Sequence, residues 1–281
     1  MSIQTEAIAQ RLHSTKASKR VLTKFKLNNH ISSLLVGAIL PLFVLVVWQV
    51  LGEFGLISEL FLPTPLVIAA AFKKLLLSGE LWIHVRISLI RAGSGFLVGG
   101  SLGLLFGLLV GLFRQTERIL DPTIQVLRLI PYLATAPLII LWFGFDETSK
   151  VVIIANGCFF PLYVNAFLGI RNVDNKLFEV AKVLQFNRFK QITRLILPAS
   201  LPNIFLGVRI SMGIAWIGLV VAELIGSQSG VGFLILQAKQ DSDVPIIFVG
   251  ILIFAVVGGL TDWIVRVAER RFLKWQDSFQ G

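Results

Sequence analysis

Long apolar stretches separated by shorter polar segments make up most of this 281-residue chain. Six of these stretches are long enough to cross about 30 Å of hydrocarbon as helices. They lie near residues 31–52, 88–113, 123–145, 150–170, 203–225 and 245–265. The pattern predicts an all-α integral membrane protein with six transmembrane helices.

The polar segments around these stretches predict how the chain is organised. Residues 1–30 are polar and basic and are expected to form an arm ahead of one transmembrane domain over 31–270, with a short tail over 271–281. The first apolar stretch is long and lacks a small-residue cleavage site, so we expect an uncleaved helix rather than a signal peptide.

The charged residues predict the orientation of the chain in the membrane. Most of the 26 Lys and Arg residues lie in the arm, in the loop after the second helix, in the segment after the fourth helix and in the tail. Positive residues favour the cytoplasmic side, so both termini are expected there. The loops on the other side hold the acidic residues Glu53, Glu59, Glu80, Asp146, Glu147, Asp241 and Asp243.

Composition excludes several classes of protein. With 55% hydrophobic and 15% charged residues, the chain is not expected to be a soluble domain, and its net charge of +10 is accounted for by topology rather than by nucleic acid. The single cysteine, Cys158, excludes a disulfide framework and a thiolate metal cluster. His13, His30 and His84 are scattered and are expected to be solvated or interfacial. The sequence has neither a phosphate-binding loop nor an H-E-x-x-H motif, which predicts no catalytic, nucleotide or metal site.

Glycine and proline add local predictions. In segment 53–84, Leu62-Pro63-Thr64-Pro65 predicts a short helix that starts near Pro65 on the outer surface. Pro131 and Pro137 are expected to bend the third span. Five glycines at four-residue spacing predict a face for close helix packing, with a hinge as the alternative. They are Gly95, Gly99, Gly103, Gly107 and Gly111.

Five polar residues lie at or near membrane depth, where each is either functional or able to reach the headgroups. They are Arg91, Gln125, Arg128, Arg209 and Glu223. Arg209 and Glu223 are about 21 Å apart along one helix, so we expect their partners on other helices.

A basic, amphipathic segment from Glu179 to Pro202 lies between the fourth and fifth apolar stretches. Its pattern predicts two short helices joined by a turn at Gln185-Phe186-Asn187, the second ending at Leu197-Pro198. A helix lying on the membrane surface is the alternative interpretation.

This segment resembles the coupling loop of ATP-binding-cassette importer permeases, whose pattern is E-A-A, three residues, Gly, nine residues and I-x-L-P. Glu179, Ala181, Leu197 and Pro198 are in register, and Leu195 stands where Ile is usual. Val180 replaces the middle Ala. Gln185 occupies the glycine position, so it must use another turn or carry strain of about 1 kcal/mol.

The resemblance extends beyond this segment. From Leu62 to about Trp275, the chain is similar to the sulfonate, taurine and nitrate permeases, most of all to aliphatic sulfonate permeases. The matching stretches are LPTP at 62–65, IILWFGFDETSK at 139–150, the coupling loop over 171–202 and the run from Ala215 to Ala238. It implies a type I importer permease with the MetI-like fold in a bacterial inner membrane. It also implies a second permease copy, two cytosolic ATPase subunits that hold ATP and Mg, and an external substrate-binding protein.

The resemblance implies two sets of site residues. The set expected to dock the ATPase is Glu179, Ala181, Gln185, Leu195, Leu197 and Pro198. The set expected along the translocation pathway is Gln125, Arg128, Arg209, Ser211, Met212, Ala215, Trp216, Leu219 and Glu223. A sulfonate is the first expectation for the substrate, ahead of taurine, nitrate or another oxyanion and then a neutral vitamin precursor. An ATP-independent secondary transporter and a membrane scaffold or sensor remain the other classes.

Overall fold

A computed structural model describes residue 37 and residues 39–273. This part of the chain is helical and contains no strand. The helices are α1 (Ile39–Glu53), α2 (Pro65–Leu77), α3 (Glu80–Leu112), α4 (Arg114–Arg128), α5 (Ala136–Phe143), α6 (Glu147–Arg171), α7 (Asn175–Val183), α8 (Arg188–Gln191), α9 (Leu197–Gly226), α10 (Val231–Gln240) and α11 (Val244–Phe272). The predicted arm 1–30, the start of the predicted first span and the tail from residue 274 lie outside the described residues.

Among the described residues, those up to Val67 and those from Ile68 onward form two compact units. In the first unit, the side-chain amide of Gln49 donates to Glu53 at 2.8 Å. The oxygen of that amide accepts from the backbone N–H of Leu66 at 3.1 Å. Pro65 is the first residue of α2, where its missing N–H breaks no helical bond. The predicted short helix at this proline is therefore confirmed.

Four helices are long and apolar enough to cross a membrane, namely Glu80–Leu112, Glu147–Arg171, Arg188–Gly226 and Val244–Phe272. A fifth candidate is the pair Arg114–Arg128 and Tyr132–Phe143, which is bent by 84°. The described part of α1 is a shorter apolar helix. The all-α membrane fold is confirmed, whereas six spans and cytoplasmic termini stay predictions.

The predicted third span, 123–145, is broken rather than continuous. Helix α4 ends at Arg128, and Pro131 precedes a 3₁₀ turn over Tyr132–Thr135. Since proline donates no backbone hydrogen bond, the break falls where a helical bond would be missing. Pro137 lies in the first turn of α5, where no donor is needed, so it does not bend this span.

Helices α3 and α6 pack closely and in parallel. A Cβ atom built at Gly95 would lie 2.5 Å from the side chain of Ile154, and one at Gly111 would lie 2.8 Å from that of Ile170. All five glycines at the four-residue spacing, Gly95, Gly99, Gly103, Gly107 and Gly111, are buried against α6. Because α3 carries no side chain at these positions, the two helices approach closely and gain van der Waals contact.

Helix α9 packs antiparallel to both α6 and α11. A Cβ at Gly207 would lie 2.9 Å from Leu162 of α6, and Gly218 lies against Ile154. On the other side, the indole N–H of Trp216 donates to the hydroxyl of Thr261 in α11 at 2.8 Å. Helix α9 is therefore held between two neighbours along its length.

Candidate functional site

Two short capped helices lie between α6 and α9. The carboxylate of Asp174 accepts the backbone N–H of Lys176 at 2.9 Å, which caps α7. The side-chain oxygen of Asn187 accepts the backbone N–H of Lys190 at 2.9 Å, which caps α8. Each cap satisfies a donor that the first helical turn leaves open. The predicted pair of short helices with a turn between them is present.

The turn after α7 places Gln185 in the left-handed region, with φ of 51°. Its N–H donates to the carbonyl of Lys182 at 3.0 Å, and the N–H of Phe186 donates to that of Ala181 at 2.9 Å. These two bonds form a Schellman motif, in which glycine usually occupies the left-handed position. Gln185 therefore uses the same turn as glycine would and carries the associated strain.

Replacing Gln185 by glycine is expected to stabilise the protein by about 1 kcal/mol, because glycine has no Cβ to strain this turn. The measurement is the thermal unfolding midpoint of the protein purified in detergent. Ser242→Gly is the matched control, since Ser242 has φ of 59° outside this segment. A lower midpoint for Gln185→Gly alone would mean that side-chain contacts of Gln185 outweigh its strain.

The outer face of this segment is apolar and exposed. Five large side chains on it are more than two-fifths exposed: Leu177, Val180, Val183, Leu184 and Phe189. Glu179 is exposed on α7, the helix that also carries Leu177, Val180 and Val183. Ala181, near the end of the same helix, is buried. Several large apolar side chains exposed near a carboxylate are typical of a protein-binding surface.

The prediction that Leu197-Pro198 ends the second helix is wrong. The chain is helical from Arg188 to Gly226 without a break, through a π-helical turn over Ile192–Ile196. The N–H of Leu197 donates to the carbonyl of Ile192, five residues back. This wider turn accommodates Pro198, whose ring and missing N–H would otherwise disrupt an α-helix. Leu195, Leu197 and Pro198 are half-buried in this helix.

A buried cluster of charges surrounds Arg91 of α3. Its guanidinium donates two bonds of 2.6 Å to Glu147 at the start of α6 and one of 2.8 Å to Glu223 of α9. It also donates to the carbonyl of Ser229 at 2.6 Å and to its hydroxyl at 3.0 Å. All five N–H donors of the guanidinium are therefore used. Arg91 is 2% exposed and Glu223 is 0% exposed.

Glu223 and its neighbours also hold the loop between α9 and α10. The carboxylate accepts the hydroxyl of Ser88 at 2.7 Å and the backbone N–H of Gly232 at 2.8 Å. The backbone N–H of Gly230 donates to Nδ1 of His84 at 3.0 Å. His84 is buried, so the expectation of a solvated or interfacial histidine is wrong. The cluster ties three helices to one loop.

The expectation that Arg209 and Glu223 find partners on other helices is confirmed. Nε of Arg209 donates to Asp262 of α11 at 2.9 Å, and Asp262 also pairs with Arg266. Glu223 pairs with Arg91 of α3. The sequence singled out Arg91 and Glu223 separately but did not predict that they pair, because residues 132 positions apart give no local signal of contact.

Several residues predicted for the pathway lie inside the helix packing. Ser211, Ala215 and Leu219 are fully buried, and the hydroxyl of Ser211 donates to the carbonyl of Cys158 at 2.9 Å. Met212 and Trp216 are half-buried on the same helix. The structure does not place these residues around one shared cavity with Gln125, Arg128, Arg209 and Glu223. Their role along a pathway stays a prediction.

Arg128 lies at a cavity of about 400 Å³ beside the break after α4. The break, α6 and α9 each contribute to its lining, which consists of Arg128, Ile130, Pro131, Tyr132, Phe160, Pro161, Val164, Asn165 and Ile214. Gln125 lies one turn earlier and donates to Asp121 at 3.1 Å. Of the predicted pathway residues, Arg128 is therefore one that the structure does place at a cavity.

Comparison with known proteins identifies relatives over most of the chain. Residues 99–274 match the family described as binding-protein-dependent transport system inner membrane component. Proteins of Bacillus subtilis strain 168 and Escherichia coli strain K12 that carry the name aliphatic sulfonates transport permease protein SsuC are 57% and 42% identical to it. These alignments cover 87% and 85% of this chain and 89% and 91% of the relatives.

A more distant relative and a solved structure agree with this assignment. The taurine transport system permease protein TauC of Escherichia coli strain K12 is 32% identical over 97% of this chain and 98% of its own length. A chain from the crystal structure of an amino acid ABC transporter with histidines has the same fold, with a TM-score of 0.58, 19% identity, and coverage of 72% of this chain and 96% of that chain. This multi-pass membrane protein therefore belongs to the family of binding-protein-dependent transport system inner membrane components and is the permease subunit of an ABC importer.

Proposed function

We propose that this permease carries an aliphatic sulfonate, delivered by an external binding protein, and that a second copy of the chain completes the pathway. The observation that carries the substrate is the 57% and 42% identity to the two proteins named as sulfonate permeases. Identity to the taurine permease is lower, at 32%, although that alignment covers more of the chain. Taurine, itself a small sulfonate, is the second candidate.

The energy comes from a separate ATPase subunit, one for each permease copy, which binds ATP and Mg and docks on the segment over 171–202. The exposed apolar face around Glu179 supports this assignment, because such a face needs a partner in water. The chain itself has no phosphate-binding loop in its sequence. We expect closure of the two ATPase subunits to move both coupling segments together and to open the pathway outward.

Replacing Glu179 by alanine is expected to reduce ATP-driven uptake at least tenfold, because the exposed carboxylate is available to a basic or N–H partner on the ATPase. The fold should persist, since the structure describes no hydrogen bond or ion pair from this side chain to residues 39–273. Uptake, ATP hydrolysis and co-purification of the ATPase are measured together. Glu59→Ala, an exposed carboxylate outside the segment, is the control. Docking, hydrolysis and uptake at wild-type rates would contradict the assignment.

The test of the function is uptake by proteoliposomes that contain the permease, its ATPase and its binding protein. Labelled ethanesulfonate is supplied outside and ATP inside, with taurine and nitrate as competitors. ATP-dependent accumulation that excess nitrate does not reduce supports the proposal. Stronger competition by taurine than by unlabelled ethanesulfonate would make taurine the substrate. Accumulation without ATP would instead favour a secondary transporter.

A further inference from the structure

The cavity beside Arg128 combines polar donors with an apolar wall. Its volume of about 400 Å³ lies within the usual range for small-ligand sites, about 300–1,000 Å³. It forms where the chain breaks after α4 and where Pro161 interrupts the hydrogen bonding of α6. Non-helical backbone at membrane depth is tolerated where it lines a cavity. The break is therefore placed where its open backbone groups border this cavity.

Arg128 supplies a positive charge at this cavity. Arg91, Arg171, Arg209 and Arg266 each pair with a carboxylate, but the structure shows no such partner for Arg128 among the residues that it describes. The guanidinium is exposed and so can turn toward an anion. A planar fork of N–H groups fits two oxygens of a sulfonate or a carboxylate at once.

Asn165 supplies a further donor, and Tyr132 forms part of the wall. The hydroxyl of Tyr132 is fully buried, so a ligand in the cavity does not reach it. The amide of Asn165 donates one N–H to the carbonyl of Pro161 at 2.8 Å, which leaves its second N–H available.

The remaining walls are hydrocarbon. Ile130 from the break, Phe160 and Val164 from α6, and Ile214 from α9 line the same space. A small inorganic anion would leave these side chains without contact, whereas an alkyl chain would cover them and gain about 0.8 kcal/mol for each buried CH₂ group. The lining therefore suits a ligand with an anionic head and an aliphatic tail.

We propose that this cavity is a binding subsite for an alkanesulfonate during transport, with Arg128 as the contact for the sulfonate head and the apolar wall as the contact for the chain. This inference rests on the proposed function and assigns a place within this permease to its substrate. One exposed guanidinium gives a weak site, which suits a transported molecule because it must also leave.

Thiol labelling tests the subsite without transport. Cys158 is the only cysteine and is fully buried, so Asn165→Cys introduces one reactive thiol at the cavity. The measured quantity is the rate of labelling by anionic sulfonatoethyl methanethiosulfonate divided by the rate of labelling by its cationic trimethylammonium analogue. In the purified permease, we expect this ratio to be about ten times that of a small-molecule thiol. Adding Arg128→Gln should abolish this preference, and adding Arg118→Gln, an exposed arginine earlier on α4, should leave it.

Two further measurements complete the experiment. Hexanesulfonate should slow the labelling, and hexyltrimethylammonium should not. In the uptake assay, Arg128→Gln should raise the half-saturating concentration of the loaded binding protein or lower the rate about tenfold, whereas Arg118→Gln should change neither. Labelling without anion preference overturns the subsite, whatever the uptake assay finds. A defect in Arg128→Gln that disappears in vesicles without anionic lipid also overturns it, because Arg128 would then contact headgroups. Failure of wild-type uptake while anion-selective labelling persists would count against the proposed function alone.

Discussion

Replacing Arg91 by methionine is expected to lower the stability of the permease by about 3–5 kcal/mol, because Glu223 would remain buried without its positive partner. Glu223 is 0% exposed, so water cannot replace the lost bond at 2.8 Å. The loop that holds Ser229 would lose two bonds as well. The measurement is the thermal unfolding midpoint in detergent, together with the yield of monodisperse protein.

The double variant Arg91→Met with Glu223→Leu separates charge from packing. Removing both charges leaves neither Arg91 nor Glu223 as an unpaired buried ion, so this variant should regain much of the stability that Arg91→Met loses. Arg209→Met is the control for loss of an arginine in an exposed pair, where the exposed fractions are 42% and 32% and the expected loss is much smaller. Equal losses for Arg91→Met and Arg209→Met would contradict the importance of burial.

Replacing Gly99 by alanine is expected to destabilise the protein by about 1–3 kcal/mol, because the added methyl group would overlap the backbone of Ala155 in α6. A backbone cannot rotate away as a flexible side chain can, so α3 and α6 must separate along their interface. Thermal unfolding and protease sensitivity of the purified protein measure this change.

Gly93→Ala is the matched control on the same helix, since a Cβ there meets nothing within 4 Å. It should leave the unfolding midpoint unchanged or slightly higher, because alanine favours a helix by about 1 kcal/mol over glycine. If both alanine variants behave alike, the close approach of α3 and α6 does not limit stability.

Local features of the sequence predicted the elements that depend on local chemistry. The four-residue glycine spacing of α3, the helix start at Pro65 and the turn at Gln185 follow from the geometry of a few neighbouring residues. The left-handed φ at Gln185 was foreseeable because the matching pattern has glycine there.

Features that depend on distant residues could not be read in the same way. The pairing of Arg91 with Glu223 requires α3 and α9 to be neighbours, which no spacing within either helix indicates. The continuity through Pro198 depends on a π-helical turn, for which the sequence has no clear signal. The burial of Ser211 and Leu219 likewise depends on which face of α9 meets α6.

The parallel packing of α3 against α6 has a consequence for how the chain is made. Gly95 meets Ile154 and Gly111 meets Ile170, so each contact joins residues about 60 positions apart. Synthesis proceeds from the amino terminus, and α3 therefore enters the bilayer while its partner helix is still unmade. Until α6 arrives, the glycine face of α3 lacks the helix that it packs against. The contact between α3 and α6 therefore forms only after α6 has been made.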